Sequence, residues 1–254
     1  MRAVWKTSLS LTLTGAALVA GLAGCRQPVG NSRLDRFLAG YAELPPPARE
    51  AALRSRLAAG DSLAALAHYA LGNDFYGAAA DSGGSARLDS ARLHFQRAAA
   101  LDSTFVEAWV NLGSVWDDLA GEASGGQQYA QRQERYANAE TAYRRALALR
   151  PTDEKARCNL GALYVKQRRP AEALAQFKQA LADNPRSALA HYNIAIMFAE
   201  SKMYREAKRE WEAAAAVDPR GDVGRRSREN VKIIEQMMTS PVPSNLEAAP
   251  AGAR

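Results

Sequence analysis

One short phrase recurs along this chain and limits what it can fold into. Asn159-Leu-Gly-Ala-Leu-Tyr164 returns as Asn111-Leu-Gly-Ser-Val-Trp116 and as Asn193-Ile-Ala-Ile-Met-Phe198. Each copy is Asn, an aliphatic, a small residue, two fillers and an aromatic. A second phrase follows each copy, with small residues and one aromatic at fixed offsets. Its aromatics, Tyr143, Phe177 and Trp211, lie 34 residues apart. A 34-residue period whose units each hold two helical patterns predicts a stack of helical hairpins, because one such unit cannot bury its apolar face alone. Reuse of a motif also argues for packing, since a catalytic loop is needed once.

The copies can be laid out unit by unit. In 154–187 the pattern is Leu160, Gly161 and Tyr164, then Ala173, Phe177, Ala180 and Pro185. In 188–221 it is Ile194, Ala195 and Phe198, then Ala207, Trp211, Ala214 and Pro219. Two earlier units carry insertions between their helices. In 106–153 the matches are Trp109, Leu112, Gly113 and Trp116, then Ala139, Tyr143, Ala146 and Pro151. In 65–105 they are Leu71, Gly72 and Phe75, then Ala91, Phe95 and Ala98, with Ser103 where proline is expected. These residues resemble the tetratricopeptide repeat (TPR) family over 65–221. The resemblance implies an all-α superhelix of about four hairpins.

Local chemistry agrees with that fold. Small residues such as Gly161 and Ala173 permit close helix approach, and the aromatics are expected to fill the space between one hairpin and the next. Pro185 and Pro219 stop the second helices, while Pro170 suits a first turn. A composition of 47% hydrophobic and 7% aromatic residues suits an Ala-rich helical array with flanks. No stretch shows strand-like alternation.

The flanks read as caps and linkers. Residues 25–64 comprise an anchor, a linker and two short amphipathic helices, the second behind the proline run at 45–47. Residues 222–239 read as a last helix covering the open end, with Val231, Ile233, Ile234 and Met237 among charges; a dimer contact is the rival use. Tyr129, Tyr136 and Tyr143, seven apart, predict that the second helix of 106–153 extends backward as one rod. The insertion at 121–135 serves either docking or packing. Residues 240–254, rich in Pro, Ala and Ser, are expected to be disordered.

The N-terminus carries different information. Arg2 and Lys6 precede an uncharged stretch of about 17 residues, short for a membrane span and suited to a secretory leader. Its ending, Leu22-Ala23-Gly24-Cys25, resembles the lipobox of bacterial lipoproteins, which implies cleavage of 1–24 and acylation of Cys25. Several acyl chains hold a protein durably, whereas one does not. Arg26 after the cysteine, where Asp would retain the protein at the inner membrane, implies an outer-membrane anchor facing the periplasm. Loss of Arg2 and Lys6 lowers the formal charge from +6 to +4. The arginines are scattered without aromatic interleaving, so nucleic acid is not expected as a partner.

Catalytic readings fail for want of partners. Gly60-Asp-Ser-Leu63 resembles the nucleophile block of a large esterase family, but no Asp stands three residues before His68, His94 or His191. Asp61 or Ser62 reads better as a helix N-cap. Asp81-Ser-Gly-Gly-Ser85 resembles a trypsin-like nucleophile loop that belongs to a β-barrel this chain does not make. The histidines lie far apart in sequence, with no carboxylate or thiol at metal-ligand spacing, and His68 and His191 share a repeat position that favours packing. Cys158 is left without a disulfide partner once Cys25 is assigned to the anchor, and no base accompanies it. The expectation is a non-enzyme with no cofactor and no metal.

What the TPR resemblance implies instead is a protein or peptide partner held in a concave groove lined by the first helices. Tyr69, Asn73 and Tyr76 begin that groove. Glu107, Val110, Asn111, Ser114, Asp117 and Asp118 continue it, followed by Lys155, Cys158, Asn159, Ala162, Val165 and Lys166. Leu189, Tyr192, Asn193, Ile196 and Glu200 complete it. The lining is acidic near one end and apolar near the other. Asn73, Asn111 and Lys155 match three places of the family's carboxylate clamp, but Tyr69 and Asn159 replace its first Lys and its Arg, so no clamp is assigned. Similar lipoproteins act as secretin pilotins in pilus biogenesis or as adaptors for envelope hydrolases. The expected role is therefore an adaptor in envelope or pilus assembly; the alternative is a self-associating structural lipoprotein.

Overall fold

A computed structural model describes residues 33–239 apart from 61, 83 and 123–127. The leader, Cys25, Asp61 as a cap and the C-terminal tail lie outside the described residues. Every regular element among those described is a helix. The chain divides into two compact units between Asp183 and Asn184.

The first unit begins with α1 (Arg33–Ala39) and α2 (Pro46–Ala58), both packed on α3. Three antiparallel hairpins follow: α3 (Ala64–Ser82) with α4 (Ser85–Leu101), α5 (Val106–Glu122) with α6 (Gln128–Leu149), and α7 (Glu154–Lys166) with α8 (Pro170–Asp183). Successive hairpins also pack α4 on α5 and α6 on α7. The second unit holds one hairpin, α9 (Ala188–Glu200) with α10 (Tyr204–Val217), and a final helix α11 (Asp222–Thr239) packed against both.

The 34-residue period sets the helix boundaries. Asp153 caps α7 by accepting from Ala156 N at 2.9 Å, and Ser187 caps α9 by accepting from Ala190 N at 2.9 Å. At the other end Arg168 and Lys202 both adopt φ 60°, and the next amides close back at 2.9 Å, Arg169 N to Tyr164 O and Met203 N to Phe198 O. This is a Schellman-type stop made without glycine. Where Ser103 stands in place of proline, Asp102 ends α4 instead. Its Oδ1 accepts from Thr104 N at 3.0 Å and from Thr104 Oγ1 at 2.7 Å.

Inside each hairpin of the first unit, the repeat glycine lies under the aromatic of the partner helix. A Cβ at Gly72 or Gly113 would come within 2.6 Å of the ring of Phe95 or Tyr143, and one at Gly161 would overlap Phe177. Sequence reading placed these aromatics between hairpins; they pack within their own. The reason is geometric, since a missing Cβ opens a hole on the first helix that only a planar ring from the second fills. Tyr164 does reach the preceding hairpin, donating to Glu140 Oε1 at 3.0 Å. The Arg169 guanidinium covers the Tyr164 ring at 4.2 Å and meets Glu140 Oε2 at 3.0 Å.

The last helix starts one further period on, 34 residues after α9, so it occupies the place of a fifth first helix. Gly224 matches the buried alanines Ala156 and Ala190, and a Cβ there would collide with the Asp218 carbonyl. The positions of Leu160, Gly161 and Tyr164, which receive the second helix in the third repeat, become Arg228, Glu229 and Lys232, all exposed. That face of α11 thus lacks the small and aromatic residues that receive a second helix in the repeats. On α11 Ile234 is buried, while Ile233 and Met237 stay exposed.

Candidate functional site

The residues expected to line a groove lie on α3, α5 and α7 in the first unit and on α9 in the second. In the first unit the structure brings most of them together, and they bind each other. Asn111 Nδ2 donates to Asn73 Oδ1 at 2.9 Å and to Tyr69 Oη at 3.2 Å, joining α5 to α3. Asn159 Nδ2 donates to Ser114 Oγ at 3.2 Å, joining α7 to α5; Ser114 Oγ donates to Val110 O and accepts from Tyr143 Oη at 3.3 Å. Lys166 Nζ meets Asp117 Oδ2 at 2.7 Å, and Tyr76 Oη donates to Asp118 Oδ2 at 2.6 Å. Asn111 and Asn159 are thus ties between neighbouring first helices.

These ties bury much of the expected lining. Tyr69, Ser114, Asp117 and Asn159 are each 8% exposed or less, and Cys158 is fully buried. Cys158 is therefore core and lines no open groove. Glu107 is engaged by Arg150 at 2.9 Å, while Lys155 is exposed. In the second unit Ile196 is buried, and Tyr192 and Asn193 are partly so.

The acidic end is less acidic than its sequence. Asp117 is neutralised by Lys166, although its buried Oδ1 has no hydrogen-bond partner. Burial pushes Asp118 up to about 6, an effect opposed by the Tyr76 hydrogen bond and reinforced by Asp117 beside it. Burial also raises Tyr76 and Tyr143 well above the usual phenol range. Reversing Asp117 would set a second ammonium group against Lys166, so its charge is structural.

Sequence reading missed a contact between histidines. His68 and His94 stand far apart in the chain, yet their Nδ1 atoms are 2.9 Å apart across the α3–α4 hairpin. His191 holds the matching position in the fourth repeat, where its Nδ1 meets Glu210 Oε2 at 2.7 Å. The signal was present as a shared repeat offset, with His94 and Glu210 each one residue before the repeat aromatic. Among the described residues no group of three or more His, Cys, Asp or Glu is placed to hold a metal ion, and no helix is long and apolar enough to cross a membrane.

A tandem of such hairpins, with small residues under aromatics, is TPR-like helical packing. TPR family models match the chain at 126–167, described as a TPR repeat, and at 154–185, described as a tetratricopeptide repeat. The fold is similar to that of TTC0263, a thermophilic TPR protein of Thermus thermophilus. That likeness has a TM-score of 0.62 at 16% identity and covers 78% of this chain and 97% of that one. It is also similar to MamA, with a TM-score of 0.50 at 19% identity, over 75% of this chain and 97% of that one. No curated protein matches the sequence. TPR repeats generally mediate protein–protein interaction, and the fold is typically a non-enzymatic scaffold.

Proposed function

We propose that this protein is a lipid-anchored adaptor of the bacterial envelope that holds a protein segment along its first helices. The observation that carries the reading is the tandem of TPR hairpins itself, whose side chains at the repeated offsets are committed to packing and leave recognition to the helix surfaces. On the expected face, Asn73, Asn111, Asp118 and Lys166 keep partial exposure, and Lys155 is open. That mixture suits an extended or helical peptide bearing both charged and amide groups. Envelope location rests on the lipobox-like ending at Cys25, and pilus or secretin assembly is the setting which the lipoprotein resemblance implies.

Two experiments test this reading. A photo-crosslinking residue at Lys155 or at Tyr192 should capture a partner in the native cells, while one at exposed Lys178 on α8 should not. Equal capture at all three positions, or none, removes the groove. Cys25→Ala should release the protein from the membrane fraction, and retention of the variant would refute the anchor. A second reading, self-association, draws on exposed Ile233, Met237 and Met238 of α11. Ile233→Lys with Met237→Lys should then lower the sedimentation coefficient.

A further inference from the structure

His68 and His94 form the α3–α4 contact whose chemistry packing does not use up. Their rings are 5.2 Å apart between centroids and tilted by 42°, and Phe75 stacks on His94 at 5.5 Å with an interplanar angle of 11°. The His94 ring is therefore held in place, while both imidazoles remain partly open to solvent. An Nδ1–Nδ1 hydrogen bond of 2.9 Å needs one donor and one acceptor, so one ring carries Nδ1–H and the other presents a lone pair. The fourth repeat fills the same two positions with His191 and Glu210. A clasp at this site therefore needs only one imidazole. The second supplies another nitrogen donor.

Two nitrogens bound cis to a tetragonal ion at about 2.0 Å subtend a right angle and stand about 2.8–2.9 Å apart, whereas tetrahedral zinc with bonds of about 2.0–2.1 Å needs about 3.3 Å. The 2.9 Å between the two Nδ1 atoms is the length of the hydrogen bond that an ion would replace, and it brings both nitrogens within reach of one ion. We infer that His68 and His94 form a two-nitrogen chelating site for Cu²⁺, water completing the coordination. Cu²⁺ is chosen because it combines tetragonal preference with the highest affinity of the divalent series for imidazole. Capture moves the shared proton from Nδ1 to Nε2 of the same ring, which frees both Nδ1 lone pairs without releasing a proton. Arg97 acts on His68, and Arg54 and Glu50 act on His94. Arg54 and Glu50 pair with each other at 2.8 Å, so Arg97 is the main charge opposing capture.

The full chain, stripped with chelator, is titrated with CuSO₄ and followed by electron paramagnetic resonance and by thermal melting. The spectrum should show two equatorial nitrogens and the melting temperature should rise. His68→Gln and His94→Gln should each weaken Cu²⁺ binding by about tenfold or more, the double variant should bind more weakly than either single one, and His191→Gln should bind like wild type. His68→Gln leaves the His94–Phe75 stack in place and remains diagnostic if His94→Gln fails to fold. A one-nitrogen spectrum, or wild-type affinity in His68→Gln, overturns the site.

Discussion

Gly161 on α7 lies directly beneath the ring of Phe177 on α8, leaving no room for a Cβ between them. Gly72 with Phe95 and Gly113 with Tyr143 repeat the contact in the two preceding hairpins. Alanine favours a helix over glycine by roughly 0.5–1 kcal/mol, so propensity alone would make Gly161→Ala stabilising. Overpacking costs about 1–3 kcal/mol, and Phe177 is fully buried and cannot swing away. Gly161→Ala should therefore destabilise in urea unfolding, and Phe177→Leu in the same chain should recover part of the loss. A stabilised Gly161→Ala would show that the ring contact is not what this position serves.

Asp118 should make the first unit more stable in mild acid than at neutral pH. Its folded value of about 6 lies above the usual carboxylate value of 3.8, so the folded chain holds the proton more tightly than the unfolded one. That contribution is complete below about pH 4 and is lost as pH rises through 6. Asp118→Asn keeps an acceptor for Tyr76 and removes the buried charge. It should gain on the order of 1–2 kcal/mol at pH 7.5 and nothing at pH 4. Equal effects at both pH values would rule out the charge as the cause.

The histidine pair acts in the opposite direction. Burial lowers both rings, and with the neighbouring His68 and Arg54 it brings His94 to about 4. The folded state thus binds protons less readily than the unfolded state, whose histidines titrate near 6.5. Stability is full above about 6.5 and declines as pH falls toward 4. Melting temperatures from pH 7.5 to 4.5 should fall less steeply in His94→Gln than in wild type, and parallel curves would exclude the pair.

Lys202 sits at φ 60° in the α9–α10 turn, a conformation that costs a side-chain-bearing residue about 1–2 kcal/mol. Lys202→Gly relieves that strain at the expense of unfolded-state freedom. A net gain of about 0.5 kcal/mol is expected by chemical denaturation. Lys202→Val, with a β-branch, should lose stability. A loss in the glycine variant would mean that the Lys202 side chain itself contributes to the turn.

Trp211 buries its indole with Nε1 lacking an acceptor, in a position that other repeats fill with Phe or Tyr. Removing an unsatisfied donor offsets lost volume, since such a group costs about 1–3 kcal/mol. Trp211→Phe should change stability by less than about 1 kcal/mol by far-UV circular dichroism, against about 3–5 kcal/mol for Trp211→Ala. A large loss in the Phe variant would indicate that the indole shape, not its aromatic character, is required.

By itself the sequence determined the helical hairpin, its 34-residue period and the residues that recur at each offset, because those depend on spacing along one helix and on where proline or a capping side chain stops it. Gly161 and Phe177 could be assigned to packing, and Pro170 to a first helical turn, from the sequence alone. Only the tertiary structure decided which atoms meet. It set Phe177 on the glycine of its own hairpin, turned Asn111, Asn159 and Lys166 into ties between first helices, and joined His68 to His94. Repeat offsets fix which side of a helix a residue occupies; the distance between helices and the rotation of each against its neighbour are set by how all the side chains fill the space together. That is why the residues expected to line a groove lie on first helices, while their burial and pairing emerged only from the packed unit.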